Sequence, residues 1–344
     1  MEREFDLLSV KEEKKLSAEE LKEYYTELRK YLEGRKLTNT TPGATTVAPK
    51  LKKISNILAT QVTKMFSSKN VEWVCDGQEN LPQGGFLIAQ SHQGILDGFV
   101  WIPKIDRHCL VLHGGDVNKL LLYSQYNTGL VIVKKAFPGR DSEEKIKEIK
   151  NFNYNGKLDM IQLLQMGFPI VYSPESTWNL SPNKLHLPIN YGFLDIAKKS
   201  GVPVIPAVHE FTYDSSTEKE VITKIHTKFG TPIYIGLKDD IEQKLEEFQE
   251  AISTMKWELL EEKGIFKRKN ITTREYINYL KGNYKNLKFG KLDWEKERAN
   301  IYGANSEFYQ FHHINDIPFD ENGNLLETEE VIKLKKINEK HHIG

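Results

Sequence analysis

His92 and Asp97, in the stretch Ser91-His92-Gln93-Gly94-Ile95-Leu96-Asp97-Gly98, directly follow an apolar run, Phe86-Leu87-Ile88-Ala89. A histidine can take a proton near neutral pH, and a carboxylate can hold its ring in place. In a regular helix five positions advance the chain by roughly 500°, which leaves the two side chains about 140° apart and unable to meet. His92 is therefore expected on the turn before a helix, with Ser91 as a cap and Asp97 on the first turns reaching back to the ring. Short His and Asp spacings are common, and a lone His at a helix start is more often a surface or capping residue. The elements around the pair have to decide what it means.

Between Val71 and about Gly236, short apolar or β-branched runs alternate with helical stretches. The pattern predicts strands at 72–74, 86–89, 109–112, 130–133, 170–172, 204–208 and 222–227, and helices at 97–102, 118–126, 142–150, 158–166 and 191–199. Such alternation implies an α/β fold, a largely parallel central sheet flanked by helices, whose reactive groups gather at the carboxyl ends of strands. His92 falls at one such end.

Three regions follow. Residues 1–70 form a helical segment: Ser17-Ala18-Glu19-Glu20 reads as a capping box, 38–49 as a Thr/Pro/Gly-rich linker, and 50–66 as a basic amphipathic helix. In the last, Leu51, Ile54, Leu58, Val62 and Met65 recur at three- and four-residue steps beside Lys50, Lys52, Lys53 and Lys64. It reads either as a helix packed on the domain with lysines in solvent, or as an interfacial helix with its apolar face among headgroups. Residues 71–236 form the α/β core. Residues 237–344 begin with a charged helix over 237–262 and continue as a polar extension containing aromatics, with a turn at 320–324.

The 344 residues are 39% hydrophobic, enough for a substantial core, and 48 Lys and Arg balance 48 Asp and Glu. No overall field pulls such a chain onto nucleic acid. Two cysteines, Cys75 and Cys109, make neither a disulfide framework nor a zinc cluster, and the start lacks the blocks of a signal peptide. The expected location is cytoplasmic. No stretch approaches the ~18 to 20 apolar residues of a spanning helix, so work on lipid implies a peripheral position on the inner face of the membrane.

Three further segments end strands in the core. Thr128-Gly129-Leu130-Val131-Ile132-Val133-Lys134-Lys135 runs into paired cations; Tyr172-Ser173-Pro174-Glu175-Ser176-Thr177-Trp178-Asn179 ends in a proline, a carboxylate and small or polar residues; Val202 to Ala207 is bracketed by Pro203 and Pro206. In this order the set resembles the glycerolipid acyltransferase family, the bacterial lysophosphatidate and glycerol-3-phosphate acyltransferases with an HxxxxD motif. The likeness spans about residues 71–236. It implies that His92 and Asp97 are the catalytic pair, His92 as general base on an acceptor hydroxyl and Asp97 orienting the imidazole. The acyl donor would be a thioester of an acyl carrier protein or coenzyme A, and the oxyanion donors would be backbone N–H groups around Ser176. The acceptor would be a lysophospholipid or glycerol phosphate, bound through Lys134, Lys135, Pro174, Glu175, Ser176, Thr177 and Trp178, with Lys135 in place of an arginine. No metal or redox cofactor is needed, and a membrane surface is the expected partner.

One block departs from the family, which usually reads Phe-Pro-Glu-Gly-Thr-Arg-Ser where this chain has Ser173-Pro174-Glu175-Ser176-Thr177-Trp178-Asn179. An arginine fork for phosphate has become an indole, which stacks on a sugar or covers a chain but binds no phosphate. Lys134, Lys135 and Arg140 can still supply charge, while a sugar or amine acceptor becomes a competitor. The third reading is a non-catalytic lipid or acyl-chain binder on the same scaffold. Elsewhere, Cys109 reads as a small buried hydrophobe, and His113, His312 and His313 as structural or surface residues.

Overall fold

The structure is a computed structural model that describes residues 5–92, 96–114, 129–134, 136, 141–175, 186, 189–214 and 221–262. The helix expected over 118–126, the turn at 320–324, and His312 and His313 lie outside them. Seven strands, β1 (Ser67–Asp76), β2 (Leu87–Gln90), β3 (Leu110–Gly114), β4 (Leu130–Val133), β5 (Ile170–Tyr172), β6 (Val204–Asp214) and β7 (Val221–Phe229), form one sheet ordered β1-β7-β6-β2-β5-β3-β4. The five from β6 to β4 run parallel; β7 turns back antiparallel on β6, and β1 pairs parallel with β7. The strands from β2 to β7 lie where apolar or β-branched runs stand in the sequence, whereas β1 begins in the polar stretch from Ser67. All four residues of β2 are buried, as both faces of a central parallel strand are when helices cover them.

Among the described residues the α-helices are α1 (Val10–Glu13), α2 (Ala18–Glu33), α3 (Lys52–Met65), α4 (Asp97–Val100), α5 (Glu143–Gln165), α6 (Gly192–Ser200) and α7 (Ile241–Glu262). One core lies between the sheet and α2, α5, α6 and α7, with Leu87, Ala89, Phe193, Val208 and Phe248 inside it. The other lies under α3 and α4, with Phe86, Ile88, Trp101, Ile205 and Phe211. Alternate residues of β2 and β6 thus serve opposite cores. β2 leads through α4 to β3, and neighbouring β5 leads through α6 to β6, on the opposite face and in the opposite direction along the sheet. Crevices form at such a switch point, beyond the carboxyl ends of the strands.

Two expectations are corrected here. The helices expected at 142–150 and 158–166 are one helix, α5, because the Asn- and Gly-rich segment between them is used in packing. Asn153 exchanges two 2.8 Å hydrogen bonds with the Lys134 backbone, and a Cβ on Gly156 would lie 3.3 Å from the Ile132 carbonyl. Tertiary contacts therefore override weak helix propensity. The Thr/Pro/Gly-rich stretch is likewise built into the fold. Asn39 O accepts from Ile132 N at 2.8 Å, Thr41 N donates to Leu130 O at 2.9 Å, and Asp159, fully buried, accepts from the Thr38 and Asn39 amides and from Arg35. The stretch thereby covers the β4 edge.

α3 shows which of its faces packs. Its buried residues are Ser55, Ala59 and Thr63, whereas Ile54, Ile57, Leu58 and Met65 are 47%, 59%, 42% and 78% exposed. The hydroxyls of Ser55 and Thr63 donate to carbonyls one turn back, at Leu51 and Ala59, so small polar residues can be buried without orphaned groups. Lys52 points inward and donates to the Ile102 carbonyl, and burial pushes its ammonium pKa down. Lys50, Lys53 and Lys64 face solvent.

Candidate active site

His92 stands two residues beyond β2, and Asp97 opens α4. The residue before the helix is Leu96, with no side-chain cap, so the cap expected at Ser91 is not formed; Ser91 is buried and its amide continues the ladder to Ala207. His92 Nδ1 lies 2.7 Å from Asp97 Oδ2. A second bond orients the backbone: His92 N–H donates to Glu175 Oε1 at 3.0 Å, and Glu175, just after β5, is 1% exposed. The His92 side chain remains 23% exposed, open to a reactant, while that of Asp97 is 2% exposed.

The other oxygen of Asp97 meets a residue absent from the sequence-based site. Asp97 Oδ1 lies 2.8 Å from His209 Nε2, on β6, and the His209 ring has no exposure. Burial opposes ionisation of Asp97, but the charge and hydrogen bond of His209, followed by those of His92, hold its carboxyl well below the usual carboxylate range. An ionised carboxylate only accepts, so both rings donate to it: His92 from Nδ1, His209 from Nε2. In a neutral His92 ring the lone pair then resides on Nε2, and this nitrogen can take a proton from a bound hydroxyl.

Trp101 braces the array. Its indole N–H donates to the Gln90 side-chain carbonyl, the Gln90 amide donates to Ser173 Oγ at 3.1 Å, and the indole meets the His209 ring edge-on at 5.5 Å between centroids. The ends of β2 and β5 and the middle of β6 are thus linked through side chains around His92. One signal in the sequence points to His209. Ile205, Ala207, His209 and Phe211 alternate along β6 toward one core, so His209 is a polar side chain at an inward position of an otherwise apolar face.

Other sequence-predicted residues distribute unevenly. Pro174 and Glu175 lie at the end of β5 beside His92. Lys134 ends β4, separated from β2 by two strands, a span of about 14 Å. It is exposed, with Nζ 4.5 Å over the Phe152 ring. Lys135, Ser176, Thr177 and Trp178 lie outside the described residues. Cys109 is buried, and burial pushes its thiol pKa up, against any thiolate role.

No protein-family profile and no curated protein sequence matches this chain. Among solved structures, its fold is similar to that of the 1-acyl-sn-glycerophosphate (LPA) acyltransferase PlsC from Thermotoga maritima, with 20% sequence identity over 60% of this chain and 79% of that chain and a TM-score of 0.44.

Proposed function

We propose that this protein transfers a fatty acyl group from a thioester, of acyl carrier protein or coenzyme A, to an acceptor hydroxyl. The observation that carries the reading is the His92 Nδ1 contact to a buried, ionised Asp97 at the carboxyl end of β2, in the sequence context of ordered acyltransferase-like blocks. His92 Nε2 takes the proton of the acceptor hydroxyl as its oxygen attacks the thioester carbon. Collapse of the tetrahedral intermediate breaks the C–S bond, and the imidazolium returns the proton to the departing thiolate. Glu175, through the His92 amide, sets where the ring stands. The backbone groups around Ser176, proposed to stabilise the oxyanion, lie outside the described residues.

Glycerol phosphates and lysophospholipids are the first acceptors to test. A second reading, an acceptor without phosphate, is favoured by the position of Lys134 over Phe152, with two strands between it and β2. The experiment follows thiol release from long-chain acyl thioesters by the purified protein with each acceptor class, and the mass of the acylated product. Release with a phosphorylated acceptor supports the first reading, and release with a sugar or amine alone supports the second. Silence across all donors and acceptors overturns both in favour of a binding protein.

The face of α3 supports a peripheral position on an anionic bilayer. Four large apolar side chains are exposed beside Lys50, Lys53 and Lys64, no acidic residue lies between 47 and 66, and α3 packs on α4, the helix that begins with Asp97. Co-sedimentation with anionic phosphatidylglycerol vesicles should fall several-fold for Lys53→Glu with Lys64→Glu, and for Ile57→Glu with Met65→Glu. Lys52, turned inward, is left intact. Unchanged binding by both pairs rules the face out as a lipid contact.

A further inference from the structure

Within the proposed acyl-transfer reading, we infer that His209 is a positioning residue: by donating from Nε2 to Asp97 Oδ1 it commits the carboxylate's second oxygen to His92 Nδ1 and so sets the tautomer of the base. Three observations carry this. First, Asp97 Oδ1 to His209 Nε2 (2.8 Å) and Asp97 Oδ2 to His92 Nδ1 (2.7 Å) are two bonds on two oxygens of one carboxylate. Neither ring can donate to the other's oxygen without displacing it. Second, the His209 ring is held from several sides. Trp101 meets its edge at 5.5 Å, and Phe211, two residues along β6, meets it at 5.2 Å. Third, the backbone at this point is pinned from the other face of the sheet. Lys256 of α7, itself 4% exposed, donates to the His209 carbonyl at 3.0 Å and pairs with Glu210.

Packing alone gives little reason for a histidine here. The inward positions on either side, Ala207 and Phe211, are apolar, and an apolar residue at 209 avoids the desolvation of an imidazole. What an apolar residue cannot do is satisfy Oδ1. Without the His209 donor the Asp97 carboxylate can rotate about its Cβ–Cγ bond, and His92 then loses a fixed partner for Nδ1. α7, beyond the α/β core, contributes to the same device through Lys256.

The test reads the tautomer directly. In the full-length protein labelled with ¹⁵N-histidine, long-range ¹H–¹⁵N correlations, assigned against His92→Gln, should show His92 protonated at Nδ1 and not at Nε2. His209→Leu should convert His92 to a mixture of tautomers, while His209→Gln, whose side-chain amide can donate to Asp97 Oδ1, should keep the wild-type signature. If the leucine variant does not fold, His209→Asn, with an amide too short to reach Asp97, takes its place. In steady-state assays the non-donating variant should lose about 10- to 100-fold in kcat with KM kept, and His209→Gln should recover most of it. An unchanged His92 tautomer in the folded non-donating variant overturns the inference. Because the tautomer is read without substrate, a protein that transfers no acyl group but shows this response would refute the proposed activity and leave the positioning role standing.

Discussion

Asp97→Asn is expected to lower thioester turnover by about 10³- to 10⁴-fold with the fold preserved. Two ring N–H groups point at this side chain, and a carboxylate accepts from both, whereas an amide offers one acceptor oxygen and one donor NH₂. One histidine must then reverse its tautomer. If His92 reverses, Nε2 carries the proton and cannot act as a base. Thiol release measured alongside near-UV circular dichroism checks this, with His92→Ala as the reference for loss of the base. Activity above a tenth of wild type in folded Asp97→Asn would remove Asp97 from the orienting role. The same substitution has a consequence for acid stability. The Asp97 carboxyl is held below its unfolded value, so its ionisation stabilises the fold above about pH 4 and that contribution is lost as pH falls through the depressed value. Asp97→Asn should therefore show a shallower loss of stability in that acid range.

The second large effect is expected at Lys199→Met, in a buried charge cluster that fastens the amino-terminal segment to α6. Lys199 Nζ lies 2.5 Å from both Glu13 Oε1 and Asp195 Oδ1, Lys198 lies 3.4 Å from Glu13 Oε2, Lys157 reaches the other oxygen of Asp195, and the Tyr25 hydroxyl donates to Glu13 at 3.0 Å. Glu13 and Lys199 are 1% and 2% exposed. Methionine keeps the stem and removes the charge that separates two carboxylates, at a cost of about 3 kcal/mol. Urea unfolding should report it, and limited proteolysis should release the segment ahead of residue 33 first. Glu13→Gln in the same chain should restore part of the loss, since it removes one of the carboxylates left behind. Asp240→Asn is the control: its partner Lys14 is 47% exposed and Asp240 41%, so the midpoint should barely move. Equal effects at the two pairs would mean that burial does not govern the cluster.

Much of the scaffold was legible in the sequence because it is local. Each strand of the sheet overlaps a run read from the sequence, although β1 begins five residues earlier, in the polar stretch from Ser67, and the Ser17 capping box forms as read, with Ser17 and Glu20 bonded reciprocally. The five-residue offset of His92 and Asp97 excluded a shared helical face, and the structure places His92 ahead of the helix that Asp97 opens, with the two side chains in contact. Where the reading departed, a long-range contact decided. The break expected near residue 154 vanished because Asn153 and Gly156 have partners on β4 and in the stretch ahead of it. For α3, periodicity identified two faces but not which would pack, and the small polar one did because its hydroxyls are satisfied within the helix.

Sequence by itself determined most of the alternating elements, that His92 and Asp97 do not share a helical face, and the placement of His92 at the carboxyl end of a strand. Only the tertiary structure decided what surrounds it. His209 is 112 residues from Asp97 and Glu175 is 83 from His92 along the chain, and both arrive because β6 and β5 flank β2 in the sheet. Period-two patterning shows which residues of a strand share a face, but the order of strands is set by how two cores close over the sheet. A carboxylate with a histidine on each oxygen therefore appears only once the strands are in place.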